Sequence, residues 1–144
     1  MSKFGKRVKD ASVRIQGKTK LAVVKILSNV SREIINGTPV DSGRLKNNWY
    51  ASNTRPNTRS NKGADKTGKK SIARVARTLR RLKLGQTFYL TNNLPYAAVV
   101  EYGRYPNPSK AKKPKTINGF SKQAPSGVLR VGLRKGIAKS RGIK

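Results

Sequence analysis

The sequence predicts a single domain, residues 1–144, that combines helices with short strands. Apolar residues recur at helical spacing through residues 3–36, and apolar and polar residues alternate over 44–51. An apolar, aromatic segment at 88–103 lies inside a chain whose formal net charge is +29. A disordered basic tail lacks such a segment, so we expect a folded core.

The first predicted element is an amphipathic helix over residues 3–36. Gly17 weakens its middle by about 1 kcal/mol relative to alanine, which is compatible with a kink there. Asn36-Gly37 followed by Thr38-Pro39 predicts the helix end, with Gly37 in the left-handed conformation. The apolar face consists of Phe4, Val8, Ala11, Ile15, Ala22, Ile26, Val30 and Ile34.

A turn and a strand are predicted next. In the turn at residues 38–43, the Asp41 carboxylate can accept backbone N–H groups one or two residues further on. The alternating pattern over 44–51 predicts a strand with Leu45 and Trp49 directed into the core.

A long basic loop, residues 53–71, and a basic helix follow this strand. The loop contains one aliphatic side chain, and loops of this length are usually functional or disordered. We interpret it as flexible. Ser71 is the predicted N-cap of the helix, and Gly85 its end.

A second strand and a short helix form the apolar segment. The strand at 86–92 places Phe88 and Leu90 in the core, and the helix over 95–102 ends at Gly103.

The C-terminal part is less sharply defined by its pattern. A second basic loop is predicted over 104–124. For residues 128–138, Gly132 and Gly136 make the periodicity indecisive between helix and strand.

The composition indicates a basic protein that is attracted to polyanions. The chain has 34 Lys plus Arg against 5 Asp plus Glu, with no His and no Cys. Self-repulsion at this charge destabilises a lone monomer, and 35% hydrophobic residues predict a core that is small or completed by a neighbour. No disulfide or thiolate metal site is possible and no apolar run reaches membrane length, so we expect a soluble protein made in a reducing compartment.

The residue types argue against an enzyme. Without His or Cys, acid–base and nucleophilic schemes depend mainly on five acids, and these stand singly, without the spacing of paired carboxylates or metal ligands. We therefore expect no catalytic residue, no cofactor and no metal. The acids are Asp10, Glu33, Asp41, Asp65 and Glu101.

The two basic loops carry the candidate contacts to DNA or another polyanion. Lys and Arg neutralise phosphates without strict geometry, which gives sequence-independent, salt-sensitive binding. The alternative is that these cations only keep the protein soluble, although a solvated surface normally mixes both signs. The candidates are Arg55, Arg59, Lys62, Lys66, Lys69 and Lys70 in the first loop and Lys110, Lys112, Lys113 and Lys115 in the second.

The short helix is the candidate protein interface. It carries more apolar surface than one small helix needs, and ordinary core packing is an equal alternative. Glu101 is the acid of this apolar segment, so we expect it to be paired with an Arg or Lys, because an unpaired charge there is costly. The candidate interface residues are Tyr96, Val99, Val100, Glu101 and Tyr102.

Three motifs follow one another along the chain. The first is TPVDSGRLKNNW at 38–49, directly after the long helix. The second is YLTNNLPYA at 89–97, continued by VEYG at 100–103, and the third is QAPSGVLRV at 123–131. In this order and spacing they resemble the tailed-phage neck proteins of the tail-completion, or head–tail joining, family, which includes minor tail components.

The resemblance covers essentially the whole chain and implies an α+β fold. In it, a long N-terminal helix and a C-terminal helix pack on a small antiparallel sheet built from the segments around 44–51 and 86–92, with the two basic loops as variable parts. It favours a helix over 126–140. It implies a structural virion protein of the neck, made in the host cytoplasm, without catalytic residues.

The partners that the resemblance implies are proteins and DNA. They are this chain itself, in a sixfold or twelvefold ring, the neighbouring connector, stopper or tail-terminator proteins, and packaged double-stranded DNA held by non-specific contact. No membrane is implied. Whether the basic loops face the DNA or other proteins stays open.

A second interpretation is a free-standing basic nucleic-acid-binding protein, ribosome-like or nucleoid-like. A neck protein should oligomerise through apolar surface and the 94–103 segment. A ribosome-like protein should be monomeric and should need RNA to order its loops.

Overall fold

Five helices and four short strands form the α+β fold, in a computed structural model that describes residues 1–107, 110 and 112–143. The helices are α1 (Lys3–Gly37), α2 (Arg44–Asn47), α3 (Lys69–Arg80), α4 (Ala97–Tyr102) and α5 (Leu129–Lys139). The strands are β1 (Trp49–Ser52), β2 (Tyr89–Asn92), β3 (Thr116–Ile117) and β4 (Phe120–Ser121).

The strands form two separate antiparallel pairs. In the first pair Trp49 of β1 lies opposite Asn92 of β2, which confirms the sheet expected from these two segments. The second pair, β3 and β4, lies inside the region that the sequence predicts as an irregular basic loop. Residues 108, 109 and 111 of that loop lie outside the described residues.

Helix α1 runs through Gly17 without a break. Ser2 caps its N-terminus, where the Ser2 Oγ accepts a hydrogen bond from the Gly5 N–H at 3.0 Å. The predicted left-handed Gly37 is wrong, because Gly37 is the last helical residue and extended Thr38 is the C-cap. Thr38 Oγ1 donates to the Ile34 carbonyl at 2.8 Å and accepts from Trp49 Nε1 at 2.8 Å, so the tertiary contact fixes this end.

The strand predicted over 44–51 begins only at Trp49, because its first residues form the short helix α2. Gly43, with φ of 87°, reverses the chain before this helix, and the Asn48 side chain donates back to the Arg44 carbonyl at 2.7 Å. Leu45 and Trp49 are four residues apart, a spacing that places them on one side in a helical turn and in a strand alike. Both are buried as expected.

Helix α3 begins earlier and ends earlier than predicted. Gly68, with φ of 78°, is its N-cap, and Ser71 lies inside the helix, buried, with its hydroxyl donating to the Lys46 carbonyl at 2.8 Å. The helix ends at Arg80, well before Gly85, and β2 starts at Tyr89, three residues later than predicted.

Helix α5 confirms the helix that the resemblance favours, and two glycines set its packing. It crosses α1 in the antiparallel sense: an added Cβ at Gly132 would lie 2.7 Å from the Ile34 Cα, and one at Gly136 would lie 2.3 Å from the Val30 Cα. Such a close backbone approach is possible only without side chains at these positions. The indecisive glycines of the sequence are therefore packing residues.

The hydrophobic core lies between the C-terminal half of α1, α3, the first sheet and the start of α5. Of the expected core residues, Leu45 and Trp49 are buried, whereas Phe88 and Leu90 are partly buried and pack against the cluster. The buried apolar side chains are Ile34, Ile35, Leu45, Trp49, Val75, Leu79, Leu82, Leu94, Val100, Ala124 and Val128.

Candidate functional site

Asparagine side chains hold the backbone of the first basic loop. Asn48 Oδ1 accepts the Asn61 N–H at 2.8 Å, and Asn48 Nδ2 donates to the Asn61 carbonyl at 3.1 Å. Asn47 Nδ2 donates to the Gly63 carbonyl at 3.1 Å, and Asn61 Nδ2 donates to the Tyr50 hydroxyl at 2.7 Å. The loop is thereby bonded to α2 and β1.

The end of β2 holds the other part of this loop. Asn93 Nδ2 donates to the carbonyls of Asn57 and Arg59 at 2.6 and 3.0 Å, and Thr91 Oγ1 donates to the Asn57 carbonyl at 3.1 Å. The expectation of a flexible loop is therefore wrong. Sequence reasoning missed the asparagines, although their density around both ends of the loop was a usable signal, because Asn side chains bond backbone groups.

Asp65 fixes the loop where α3 begins. Its Oδ1 accepts the Thr67 hydroxyl at 2.6 Å and the Thr67 N–H at 3.0 Å, and its Oδ2 accepts the Lys70 N–H at 2.8 Å. The hydrogen bond from the Thr67 hydroxyl is the main cause that lowers the pKa of Asp65 to about 2. Burial raises this pKa, but the N–H groups of Lys70, Thr67 and Gly68 lower it further. Asp65 thus performs the capping predicted for Ser71.

The candidate cations of the first loop are all exposed on this fixed backbone. Because the main chain of this loop is already ordered, binding to the phosphates of a nucleic acid needs to immobilise only the Lys and Arg side chains. The exposed residues are Arg55, Arg59, Lys62, Lys66, Lys69 and Lys70.

The second loop carries an ion pair to the first motif. Lys115 Nζ lies 3.0 Å from Asp41 Oδ1, and both side chains are largely exposed, so the pair contributes about 0–1 kcal/mol. The turn role predicted for Asp41 is taken by Ser42, whose Oγ accepts the Arg44 N–H at 3.2 Å. The remaining candidates of this loop are exposed: Lys110, Lys112 and Lys113.

Two basic side chains point inward instead. Arg74 of α3 donates from Nε to the Trp49 carbonyl at 3.2 Å, and its guanidinium carbon lies 4.5 Å from the centre of the Tyr50 ring. Lys46 donates from Nζ to the Asn36 carbonyl at the end of α1 at 3.1 Å, and burial lowers the pKa of Lys46 against the opposing charge of Asp65. Both are engaged in contacts within the fold, which the exposed cations of the two loops are not required to break.

The residues expected at a subunit interface, in and next to α4, differ in their exposure. Val100 and Glu101 are buried within the chain, so their assignment to an interface is wrong. Tyr96 and Tyr102 are exposed and Val99 is partly buried. The larger apolar side chains that this segment offers to a partner are therefore Tyr96, Val99 and Tyr102.

Glu101 is paired, as expected, and caps α5. Its Oε2 accepts the N–H groups of Val128 and Leu129 at 2.6 and 2.7 Å, and its Oε1 accepts Arg130 Nε at 3.1 Å. Burial by itself raises the pKa of Glu101, but the N–H groups of residues 128–130 and the Arg130 guanidinium outweigh it, so the pKa lies below its usual value.

The three sequence motifs meet at one place, which we call the motif junction. Glu101 of the second motif accepts the N–H groups that open α5 in the third. Gln123 of the third motif exchanges two hydrogen bonds with the backbone of Val40 in the first, at 2.7 and 2.9 Å. Asn92 of the second donates to the Leu45 carbonyl of the first at 2.8 Å. The motifs are thus parts of one bonded unit.

The N-terminal part of α1, residues 3–19, is called the projecting half here. Within it only Gly5 and Ala11 are partly buried, and all other residues are exposed. At 1.5 Å per residue it extends about 25 Å. Sequence reasoning identified its apolar face but missed that this face is uncovered.

In the part of the chain that the structure describes, no three His, Cys, Asp or Glu side chains are grouped as metal ligands are. The helices described there include none that is long and apolar enough to span a bilayer. No family model, curated protein or solved structure matches the chain.

Proposed function

We propose that this protein is a structural component of a phage neck, which forms a ring around the DNA path and joins the tail to the head connector. The observation that carries the proposal is the motif junction. The three motifs that resemble the tail-completion family are hydrogen-bonded to one another, which supports reading them as parts of one architecture. The α+β arrangement is also the one that the resemblance implies.

Uncovered apolar surface supports an assembly role. The projecting half of α1 exposes Phe4, Val8 and Ile15, and α4 adds Tyr96 and Tyr102. Large apolar side chains left exposed together on one helix face, as on α1, usually mark a protein interface. The chain therefore has apolar surface that an assembly can bury.

The ordered basic loop supports contact with packaged DNA. Its cations stand on a backbone that the protein itself fixes, so they can meet a regular array of phosphates without sequence preference. The same feature disfavours the alternative, a ribosome-like or nucleoid-like protein, since such a protein is expected to order its loops on RNA.

Immunogold electron microscopy of assembled virions with an antibody against this chain tests the function. Label at the junction of head and tail is expected. Virions that lack the chain, with label found only on free nucleic acid, contradict the neck role and support the alternative.

DNA binding tests the role of the first loop. Each phosphate contact contributes about −0.9 to the slope of log K against log salt, so replacing Arg59, Lys62 and Lys66 by Gln should reduce the slope by up to about 3. The matched control replaces Lys3, Lys6 and Lys9 of the projecting half by Gln, which should change the slope less. Equal slopes for wild type and the loop variant mean that these cations face protein neighbours.

A further inference from the structure

The projecting half of α1 carries an apolar stripe that none of the residues described by the structure covers. Phe4, Val8, Ala11 and Ile15 stand at positions i, i+4, i+7 and i+11, which is one face of a helix. Phe4 is 77% exposed and Ile15 is 64% exposed. Helix α5 covers α1 near Val30 and beyond toward its C-terminus, so the stripe extends well past the reach of its own fold.

We propose that this half of α1 docks as a helix into an apolar groove with an acidic rim on a different protein. The spacing of the four side chains is that of helix-in-groove recognition, in which anchors at successive turns enter one groove. Contact with DNA would use the charges of the helix but would leave Phe4, Val8 and Ile15 in water. The apolar stripe therefore indicates a protein surface.

Cations line one edge of the stripe. Arg7, Ala11, Arg14 and Lys18 follow one another at spacings of four, three and four residues. The three cations therefore form a row beside the apolar anchors. A groove that receives the stripe brings its rim against this row. Complementary charge at that rim is acidic.

A second copy of this chain does not offer such a rim. Four of its five acids are engaged within the fold, in the ion pairs Glu33–Lys139 and Asp41–Lys115 and in the caps formed by Asp65 and Glu101. The fifth, Asp10, lies on the projecting half itself. Two copies joined here would bring cations together, so the occupant that charge favours is a different, acidic protein.

This inference deepens the proposed function and rests on it only for the identity of the partner, since the neighbouring neck proteins are then the class to search. The docking chemistry itself belongs to the helix. It can be measured on the purified full-length chain without virions.

Calcium-loaded calmodulin is the probe for the test, because it is an acidic protein with an apolar groove that accepts basic amphipathic helices. The stripe variant carries Phe4→Ala, Val8→Ala and Ile15→Ala. The matched control carries Val13→Ala and Leu21→Ala, which are 60% and 56% exposed on other sides of the helix. The stripe variant should bind at least about tenfold more weakly than wild type, and the control nearly as wild type. No binding, or equal loss in both variants, overturns the proposal.

Two variants with reversed charges test the acidic rim. Replacing Arg7, Arg14 and Lys18 by Glu places the new charges at the edge of the stripe. Replacing Lys6, Lys9 and Lys20 makes the same charge change on the opposite side. The first variant should lose more affinity for calmodulin, with circular dichroism confirming that both remain helical. Equal losses overturn the acidic rim.

Two further measurements address other occupants. Sedimentation of the full-length chain shows self-association, and flotation with vesicles of phosphatidylcholine and phosphatidylserine shows membrane binding. Self-association that the stripe variant loses and the control keeps identifies a second copy as the occupant, and stripe-dependent vesicle binding without calmodulin binding identifies a lipid surface. Either result overturns the proposal, while neck labelling of virions is decided independently.

Discussion

The two halves of helix α1 share one pattern and differ in what covers them. Residues 3–19 and the C-terminal residues up to Gly37 both carry apolar side chains at spacings of three and four. Ile15 is nevertheless 64% exposed and Ile34 only 4%. The comparison shows that helical periodicity predicts which face of a helix is apolar, but not whether a partner lies on that face.

The lengths of the elements explain the difference. Helix α1 has 35 residues and α5 has 11. At 1.5 Å per residue these are about 52 and 16 Å, so α5 is too short to cover both halves of α1. Glycines then fix which half, since Gly132 and Gly136 fit against Ile34 and Val30.

The largest expected difference in unfolding free energy is between two aromatic substitutions, one at a buried and one at an exposed residue. Trp49→Ala should cost about 3–5 kcal/mol of unfolding free energy, because Trp49 is buried and its Nε1 bonds Thr38 at the covered end of α1. Phe4→Ala, on the projecting half, should change stability by less than about 0.5 kcal/mol. Denaturant unfolding of both variants measures this. A Trp49→Ala variant as stable as wild type would place this residue outside the core.

An isoleucine pair compares the two halves most directly. Ile34→Ala should cost about 2–5 kcal/mol, and the exposed Ile15→Ala should stay within about 0.5 kcal/mol of wild type. The measurement is urea unfolding of the purified chain under conditions where it is monomeric. A similar loss in both variants would show that residues 3–19 are covered in the isolated chain.

A glycine pair should give effects of opposite sign. Gly136→Ala places a methyl group against the Val30 backbone and should destabilise by about 1–3 kcal/mol. Gly17→Ala meets nothing within 4 Å and should stabilise by about 1 kcal/mol through helix propensity. Thermal unfolding measures both. Stabilisation by Gly136→Ala would mean that α5 does not pack closely on α1.

The smallest expected effect is the loss of the stabilisation by Asp65 at low pH. Because the folded pKa of Asp65 is about 2, below its ordinary value of 3.8, its stabilisation is present above about pH 4 and is lost as the pH falls through about 2. The difference in unfolding free energy between wild type and Asp65→Asn should therefore shrink over this interval. A difference that does not vary with pH would show that the Asp65 charge does not cap α3, the helix that packs on the C-terminal half of α1.

The sequence by itself determined the elements whose signals are local. The whole of α1, the end of α4 at Gly103 and the burial of Leu45 and Trp49 follow from spacing and turn chemistry within a few residues. The motif resemblance added the C-terminal helix, which periodicity left open. The candidate cations of both loops were also identifiable from sequence, because exposure is the default for Lys and Arg.

Tertiary structure alone decided the features that depend on distant partners. Asn48 orders the first basic loop through Asn61, and the Arg74 side chain is bonded to the Trp49 carbonyl within the fold. Glu101 is inside the fold because residues 128–130 offer it their N–H groups. The uncovered stripe of α1 belongs to the same class. A single segment specifies what its side chains can bury or bond, whereas the packing of the whole chain specifies what they meet.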